Sequence, residues 1–329
     1  MAAAAAGPVR FSTAGLPDGQ RIAKWEEHNA GALIGLRCRS LDERTLEATE
    51  INLQLPTLHL ARVIGPSHMV ERTTELIRRV PSDAFACYFT LVGDAFFYHD
   101  DGVRTLRPGQ LLICDADRPF VRGFSRGLEE LVVKVPREAF REATGVDSLP
   151  EPRTLDFARG DIRARALARL VDRAVRAEAA QPVDDEGLLA LLGALISGRT
   201  GDVGAAHLAT AKTYIEDHLT EPGLTAAQIA RGVGISERQL SRVFAASGST
   251  VPRYVLLRRL ERARAVLSAG GNDCGELTVA EIAAGHGFGS AARFSHMFKE
   301  RYGVRAVDVL RGARAVSAST MSKRTRDHS

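Results

Sequence analysis

Apolar and polar residues alternate with a helical period in two similar segments between Thr225 and Arg311, about 53 residues apart. Each segment predicts a short helix, a glycine-containing turn and a second helix, as in a helix-turn-helix unit. The apolar positions that carry the pattern are Ile229, Ala230, Val233, Ile235, Leu240, Val243 and Phe244 in the first segment and Ile282, Ala283, Phe288, Phe294 and Phe298 in the second.

The turns and caps of the two segments correspond to each other. Gly234 and Gly287 lie in the turns, where a residue without Cβ can adopt a positive φ. Ser236 and Ser290 follow at the position of an N-cap, where a hydroxyl accepts a hydrogen bond from a free amide of the next helix. We therefore expect the second helix of each unit to begin directly after its serine.

Helical periodicity directs the remaining side chains of these second helices outward. The candidate DNA-binding residues are Ser236, Arg238, Gln239, Ser241 and Arg242 in the first unit and Ser290, Arg293 and His296 in the second. Two basic, hydrogen-bonding helix faces in tandem suit the reading of two segments of a DNA major groove.

A third helix is predicted between the units, at residues 251–268, with Leu256, Leu260, Ala263 and Leu267 on one stripe. Eighteen helical residues span about 27 Å, a little less than one turn of B-DNA, roughly 34 Å. A rigid connector of this length would hold both units against successive major grooves. Its basic residues, such as Arg259 and Arg262, are expected to pair with acidic groups or phosphates instead of bases.

Residues 207–311 resemble the DNA-binding domain of the AraC/XylS family of transcription regulators. The resemblance rests on IARGVGISERQLSRVF, on the connector LRRLERARAVL and on IAAGHGFGSAARFSHMFKERYG. It implies a double helix-turn-helix DNA-binding domain, at residues 207–315, that binds double-stranded promoter DNA. It also implies activation through RNA polymerase more often than repression, and a homodimer.

Short runs rich in aromatic and β-branched residues, separated by Gly, Pro and Asp, begin at Leu58. They predict six to eight strands in about 80 residues, including a hairpin at Asp101-Gly102, and hence a small sandwich or barrel. One or two helices are expected within residues 20–50. The segment LRPGQLLIC and the strands around it resemble the cupin-like ligand-binding domains of the same family, which implies an effector-binding regulatory domain at residues 1–160.

The pattern becomes helical again from Asp161, with helices predicted over residues 162–177 and 187–196. These helices either pack on the barrel or form a dimer seam, so residues 161–206 are interpreted as a helical dimerisation and linker region. Residues 197–206 are predicted to be a hinge. The polar, basic tail at residues 316–329 is predicted to be disordered.

Charge is unevenly distributed along the 329 residues, whose length suggests two domains. Residues 1–204 contain 26 Lys and Arg against 29 Asp and Glu, a net charge of −3, whereas residues 205–329 contain 18 against 11, a net charge of +7. The positive part contains the two units, as neutralisation of DNA phosphates requires. No secretion signal or membrane-spanning run is evident, so we expect a cytoplasmic, nucleoid-associated protein.

Catalytic chemistry finds little support in the sequence. Catalytic cupins usually bind a metal through a His-x-His pair, but His59, His68 and His99 are isolated, and Cys38, Cys87, Cys114 and Cys274 form no CxxC pair. We expect buried thiols, no metal, no cofactor and no enzyme activity. Candidates for a sensory pocket or its rim, with structural salt bridges or surface positions as the alternative, are Arg72, Tyr88, Tyr98, Asp115, Arg118 and Arg122.

The sequence thus predicts a two-domain α+β protein: a cupin-like β-barrel with flanking helices, then an all-α domain of two helix-turn-helix units joined by a long helix. The predicted function is a sequence-specific transcription regulator, an activator, that senses an unknown small-molecule effector. Two alternatives stay open: a cupin-type enzyme with a DNA-binding appendage, and a ligand-independent repressor or architectural DNA-binding protein.

Overall fold

The computed structural model describes residues 7–41, 45–100, 102–177, 183–197, 203–270 and 277–326. The chain divides into two compact units, Met1–Thr210 and Ala211–Ser329. The first unit is rich in β-strands and the second is helical. Within the described ranges, no helix has both the length and the apolar character needed to cross a bilayer.

The strands of the first unit form two antiparallel sheets. The larger sheet has the order β1-β3-β4-β11-β6-β9-β12 and the smaller one β2-β5-β10-β7-β8. The strands are β1 Val9–Ser12, β2 Arg37–Ser40, β3 Thr49–Gln54, β4 His59–Gly65, β5 His68–Arg72, β6 Ala84–Val92, β7 Ala95–His99, β8 Gly102–Leu106, β9 Gln110–Asp115, β10 Phe120–Phe124, β11 Leu128–Pro136 and β12 Arg153–Asp156.

Eight strands, β4 to β11, lie in the region where six to eight were predicted. The β7–β8 hairpin pairs His99 with Gly102, as the Asp-Gly signal indicated, although Asp101 itself lies outside the described residues. Three of the four other strands, β1, β2 and β12, have only four residues each. Runs this short show too little alternation to be recognised in the sequence.

The larger sheet is buried on both faces, which explains the nearly continuous apolar run of β6. Successive strand residues point to opposite faces. Phe85, Cys87 and Phe89 therefore join a core that includes residues of the helices that follow the strands, while Ala86 and Tyr88 join a second core that contains residues of both sheets.

Five helices accompany the sheets: α1 Asp18–Ala32, α2 Thr74–Arg79, α3 Arg137–Thr144, α4 Ile162–Val175 and α5 Asp185–Ser197. Residues 20–50 contain part of α1, the strand β2 and the start of β3. The buried residues of α4 and α5 belong to the core on the outer face of the larger sheet, so these helices pack on the barrel. Of the predicted hinge, residues 198–202 lie outside the described residues, and α6 begins at Val203.

The helices of the second part of the chain are α6 Val203–Asp217, α7 Ala226–Val233, α8 Glu237–Ala246, α9 Val251–Ser268, α10 Val279–Gly285, α11 Ala291–Tyr302 and α12 Ala306–Arg326. The connector α9 has the bounds that its sequence pattern predicted. The helix α12 continues to Arg326 and overlaps the tail from residue 316, whose disorder stays a prediction. After Gly312 the sequence contains no Gly or Pro that would end the helix.

Candidate nucleic-acid interface

The first helix-turn-helix unit consists of α7 and α8. Thr225 caps α7 in a capping box with Gln228, and Gly234 ends the helix at φ 75°. Ser236 then caps α8 by accepting a hydrogen bond from the backbone N–H of Gln239 at 3.2 Å. The chain therefore turns and restarts as a helix within three residues, as the Gly and Ser signals predicted.

The second unit repeats this construction in α10 and α11. Thr278 forms a capping box with Glu281, Gly287 has φ 77°, and Ser290 accepts a hydrogen bond from the N–H of Arg293 at 3.3 Å. The equivalence of the two segments in sequence thus extends to their caps and turns.

Each reading helix, α8 or α11, is fixed by a buried apolar face. Leu240 and Phe244 of α8 are fully buried, and so are Phe294 and Phe298 of α11. These four side chains set the rotation of the two helices about their axes. The opposite faces must then point to solvent.

The predicted contact residues lie on those solvent faces, with one exception. Of the eight candidate DNA-binding residues, Gln239 is half-buried and the others are exposed: Ser236, Arg238, Ser241, Arg242, Ser290, Arg293 and His296. The side chain of His296 is 82% exposed, and its Nδ1 lies 4.0 Å from a carboxylate oxygen of Glu300. Both helices therefore present exposed cationic or hydrogen-bonding groups.

The connector α9 is attached to α6 by an ion-pair cluster that the sequence did not reveal. Glu216 of α6, whose side chain is 8% exposed, accepts hydrogen bonds from Arg258 Nε at 2.6 Å and from Arg262 Nη2 at 2.7 Å. Burial alone would raise the pKa of the Glu216 carboxyl, but the two arginines outweigh it and hold that pKa below its usual value. The expected pairing of Arg262 with an acidic group is confirmed.

A second candidate site lies inside the β-rich compact unit, Met1–Thr210. It is a small cavity of about 30 Å³ between α1 and the two sheets. Its lining includes Trp25, Phe124 and a buried ion pair, in which Arg122 Nη1 and Nη2 lie 3.1 and 2.7 Å from the two carboxylate oxygens of Glu130. The guanidinium stacks on Tyr88, with Cζ 3.7 Å from the ring centre. Arg122 Nε is buried and has no hydrogen-bond acceptor among the described residues.

Burial and charge determine the protonation of this cavity. Burial alone would lower the pKa of Arg122, but the charge of Glu130 raises it above its usual value. Burial lowers the pKa of His68 and raises the pKa of Tyr88. His68 Nδ1 lies 2.8 Å from the carbonyl oxygen of Pro66. The cavity therefore contains one mutually neutralised ion pair among otherwise uncharged groups.

Of the six candidate pocket residues, only Tyr88 and Arg122 line this cavity. Arg72 is buried in a structural network and donates to Asp117 and to three backbone carbonyls. Asp115 pairs with Arg137. Arg118 donates to the carbonyl oxygen of Pro150, and Tyr98 is exposed.

Histidine and cysteine residues of the first unit have structural surroundings. Within the described ranges, no group of three or more His, Cys, Asp or Glu side chains is arranged to hold a metal ion. Cys38, Cys87 and Cys114 are buried free thiols, as expected, and Cys274 lies outside the described residues. Burial raises the pKa of the Cys38 thiol to about 12.

Two family models match the chain in the order of its two units. A helix-turn-helix domain model matches residues 229–312, and an AraC-binding-like domain model matches residues 25–198, more than half of the chain. The chain belongs to the AraC family of transcription regulators. This AraC-family regulator thus combines a ligand-binding-like N-terminal domain with a helix-turn-helix DNA-binding region. The predicted family, fold class and class of function are confirmed.

Proteins similar to this chain include two transcriptional activators and one solved structure. The transcriptional activator NphR of Rhodococcus sp is 25% identical over 264 residues, 75% of each protein. The transcriptional activator RhrA of Rhizobium meliloti (strain 1021) is 32% identical over 108 residues, 33% of each protein. The crystal structure of the AraC-like transcriptional activator CuxR is 21% identical, covers 78% of this chain and 96% of that chain, and has a TM-score of 0.48.

Proposed function

We propose that this regulator recognises a promoter site by placing α8 and α11 in two successive major grooves. Arg238 and Arg242 would read bases through α8, with Ser241 adding a hydrogen bond, and Arg293 and His296 would do so through α11. Ser236, Gln239 and Ser290 would lie at the edges of these contacts. The observation that supports this proposal is the exposed polar face that each capped reading helix presents opposite its buried apolar face.

In vitro selection of random duplex DNA by the full chain, followed by footprinting at raised salt, tests this proposal. Non-specific binding depends mainly on phosphate contacts and falls steeply with salt. A site-specific regulator should still enrich one sequence and protect a short segment that spans about two major grooves. Unselective protection that disappears with salt would favour the alternative, an architectural DNA-binding protein.

The effector, we propose, binds in the cavity beside the Arg122–Glu130 pair and is an uncharged molecule with an apolar, flat body. A cavity of about 30 Å³ accommodates only one or two water molecules. Effector binding therefore requires α1, the helix that carries Trp25 and lies over the cavity, to move outward. The aromatic rings of Trp25, Tyr88 and Phe124 would then contact the flat body.

The polarity of the effector follows from the charges that surround the cavity. The unpaired Nε–H of Arg122 needs an acceptor oxygen. An anionic ligand would supply this acceptor but would leave a net negative charge beside Glu130. Burying an uncompensated charge costs roughly several kcal/mol. A carbonyl or similar neutral acceptor avoids this cost.

Three probes of similar shape and different charge test the polarity of the effector: benzamide, benzoate and benzylamine. Trp25 is the one tryptophan of the chain and is buried against the cavity, so its fluorescence reports binding directly. We expect benzamide to change the fluorescence at lower concentration than the two charged probes, and the double variant Arg122→Met/Glu130→Leu to abolish that preference. Tighter binding of benzoate would contradict the proposal.

Homodimerisation and the recruitment of RNA polymerase at promoters in the nucleoid complete the proposal. Leu189 and Ala190 of α5 are half-buried and line a groove beside α3, so this outer surface could serve as the dimer contact. Sedimentation should then give twice the chain mass of 35.5 kDa, and Leu189→Arg should reduce it to one chain. In vitro transcription from a selected promoter should increase when the regulator is added, whereas a decrease would indicate a repressor.

A further inference from the structure

One arginine of the connector contacts both the segment that leads to the first helix-turn-helix unit and the turn of the second. Arg259 lies in the middle of α9 and is half-buried. Its Nε donates to the carbonyl oxygen of Leu219 at 2.9 Å, and its Nη2 donates to the carbonyl oxygen of Glu221. Both acceptors belong to the short segment that joins α6 to α7, so the guanidinium is anchored to the approach of the first unit.

The same guanidinium lies against the turn of the second unit. A Cβ added to Gly287 would lie 2.9 Å from Cζ, Nε and Nη2 of Arg259, closer than real Cβ atoms approach a neighbour. Gly287 has a φ of 77°, which favours glycine, and the guanidinium of Arg259 occupies the space that a Cβ would fill. Among the described residues, no atom lies within 4 Å of a Cβ added at the equivalent position of the first helix-turn-helix unit, Gly234.

Outside this contact the two units are separated by a groove. Its walls include Leu224 and Val255 on the side of the first unit and Phe288 and Met297 on the side of the second, and Arg259 is among the lining residues. The second unit has its own core, which contains Leu260, Ala263, Leu267, Ile282, Phe294 and Phe298. The groove keeps these walls apart, and Arg259 lies between them.

The acceptors of Arg259 are themselves held in place. Glu216, one turn before Leu219, pairs with Arg258 and Arg262 on either side of Arg259. This cluster fixes the end of α6 on α9, so the carbonyls of Leu219 and Glu221 form a rigid anchor. The guanidinium of Arg259 is thus held between the carbonyls of Leu219 and Glu221 on one side and the turn at Gly287 on the other.

We propose that Arg259 is a positioning residue that sets the separation of the two DNA segments that the regulator accepts. The inference rests on the proposed reading of two major grooves. By filling the space between the anchor and Gly287, the guanidinium fixes α11 relative to α8. Without it, each unit keeps its own core and its own contacts with DNA, but the turn of the second unit loses the side chain that links it to the segment before α7.

Spacing variants of a selected site test this role in the full chain. One base pair more or less between the two recognised segments rotates one of them by about a tenth of a turn. We expect the unmodified protein to lose about tenfold in affinity for each such shift, comparable with the loss of one base contact. In Arg259→Ala the loss should fall to about twofold, while binding to DNA with only one of the two segments stays unchanged.

Arg262→Ala is the matched control, because it removes the same charge from the same helix but leaves Glu216 bonded to Arg258 at 2.6 Å, so that the anchor of Arg259 stays in place. It should keep the full spacing penalty. Arg259→Lys, which retains the charge and loses the fork of donors, should give an intermediate penalty and replaces the alanine variant if that variant does not fold.

The outcomes separate this inference from the proposed function. An unchanged spacing penalty in Arg259→Ala and Arg259→Lys would overturn the role of Arg259 and leave the reading of two grooves intact. If the unmodified protein itself showed no dependence on spacing, the reading of two grooves by a fixed pair of helices would be wrong, and this inference would fall with it.

Discussion

Removing one partner of the buried Arg122–Glu130 pair should destabilise the β-rich compact unit, Met1–Thr210, far more than removing both. The side chains are 2% and 6% exposed and are joined by two hydrogen bonds of 3.1 and 2.7 Å. Loss of one partner leaves the other charge buried and unpaired, which costs about 3–5 kcal/mol. Arg122→Met should lie at the upper end of this range, because it also removes the stacking on Tyr88.

The double variant Arg122→Met/Glu130→Leu leaves no unpaired charge at the position of this ion pair. Replacing a buried ion pair by apolar groups of similar volume is often neutral in free energy, so we expect its unfolding free energy to lie within about 1 kcal/mol of the original. Urea unfolding followed by the fluorescence of Trp25, which is buried in the same core, measures the unfolding free energy of the unmodified protein, of Arg122→Met, of Glu130→Leu and of the double variant. The exposed pair of Glu138 and Arg141 is the control, and its removal should leave the transition unchanged.

A double variant as unstable as either single variant would refute this reasoning. It would show that the geometry of the pair, and not the cost of an unpaired buried charge, stabilises the barrel. The proposed neutrality of the effector would lose its basis as well, because that argument uses the same cost.

Three further predictions concern the helical compact unit, Ala211–Ser329. Arg242→Ala should lower affinity for the selected site by about 10- to 100-fold and relax the preference at one or two bases, whereas Arg305→Ala, which removes an equal charge paired with Asp308 on α12, should change affinity little; an equal loss on all sequences would make Arg242 a phosphate contact. Glu216→Gln should destabilise the helical unit most above pH 4.5. The pKa of Glu216 is lowered in the folded state, so its contribution to stability is complete above the pKa of the unfolded state and is lost as the pH falls through the pKa of the folded state. Urea unfolding followed by circular dichroism should therefore show a difference in unfolding free energy between the two proteins that shrinks as the pH falls below 4.5. Ser290→Ala should cost about 1 kcal/mol of stability by removing the cap of α11, and hydrogen exchange of the first turn of α11 should accelerate, with no change in α8.

Features that depend on neighbouring residues in the chain could be predicted from the sequence. Gly234 and Gly287 adopt positive φ and Ser236 and Ser290 cap helices because these preferences come from the backbone and from side chains a few residues away. The outward direction of Arg242 followed in the same way from the helical period. The bounds of α9 were predicted because its apolar stripe begins and ends within one helix.

Features that depend on distant residues could not be predicted. Glu216 lies 42 positions from Arg258, and a lone acidic residue on a predicted helix gives no sign of its partner. The wedge of Arg259 against Gly287 depends on the angle at which the second unit meets α9. Arg122 was one of six candidate pocket residues, but its pairing with Glu130 required knowledge of the pairing of β10 and β11 with different neighbours in two sheets.

Guanine-N7 methylation protection on the selected site measures the central claim most directly, because N7 lies in the major groove, where α8 and α11 are proposed to bind. With the full chain bound, we predict two protected patches on one face of the duplex, about one helical turn apart. Arg242→Ala should weaken one patch and Arg293→Ala the other. A single patch, or two patches that weaken together in either variant, would contradict the reading of two major grooves by separate helices.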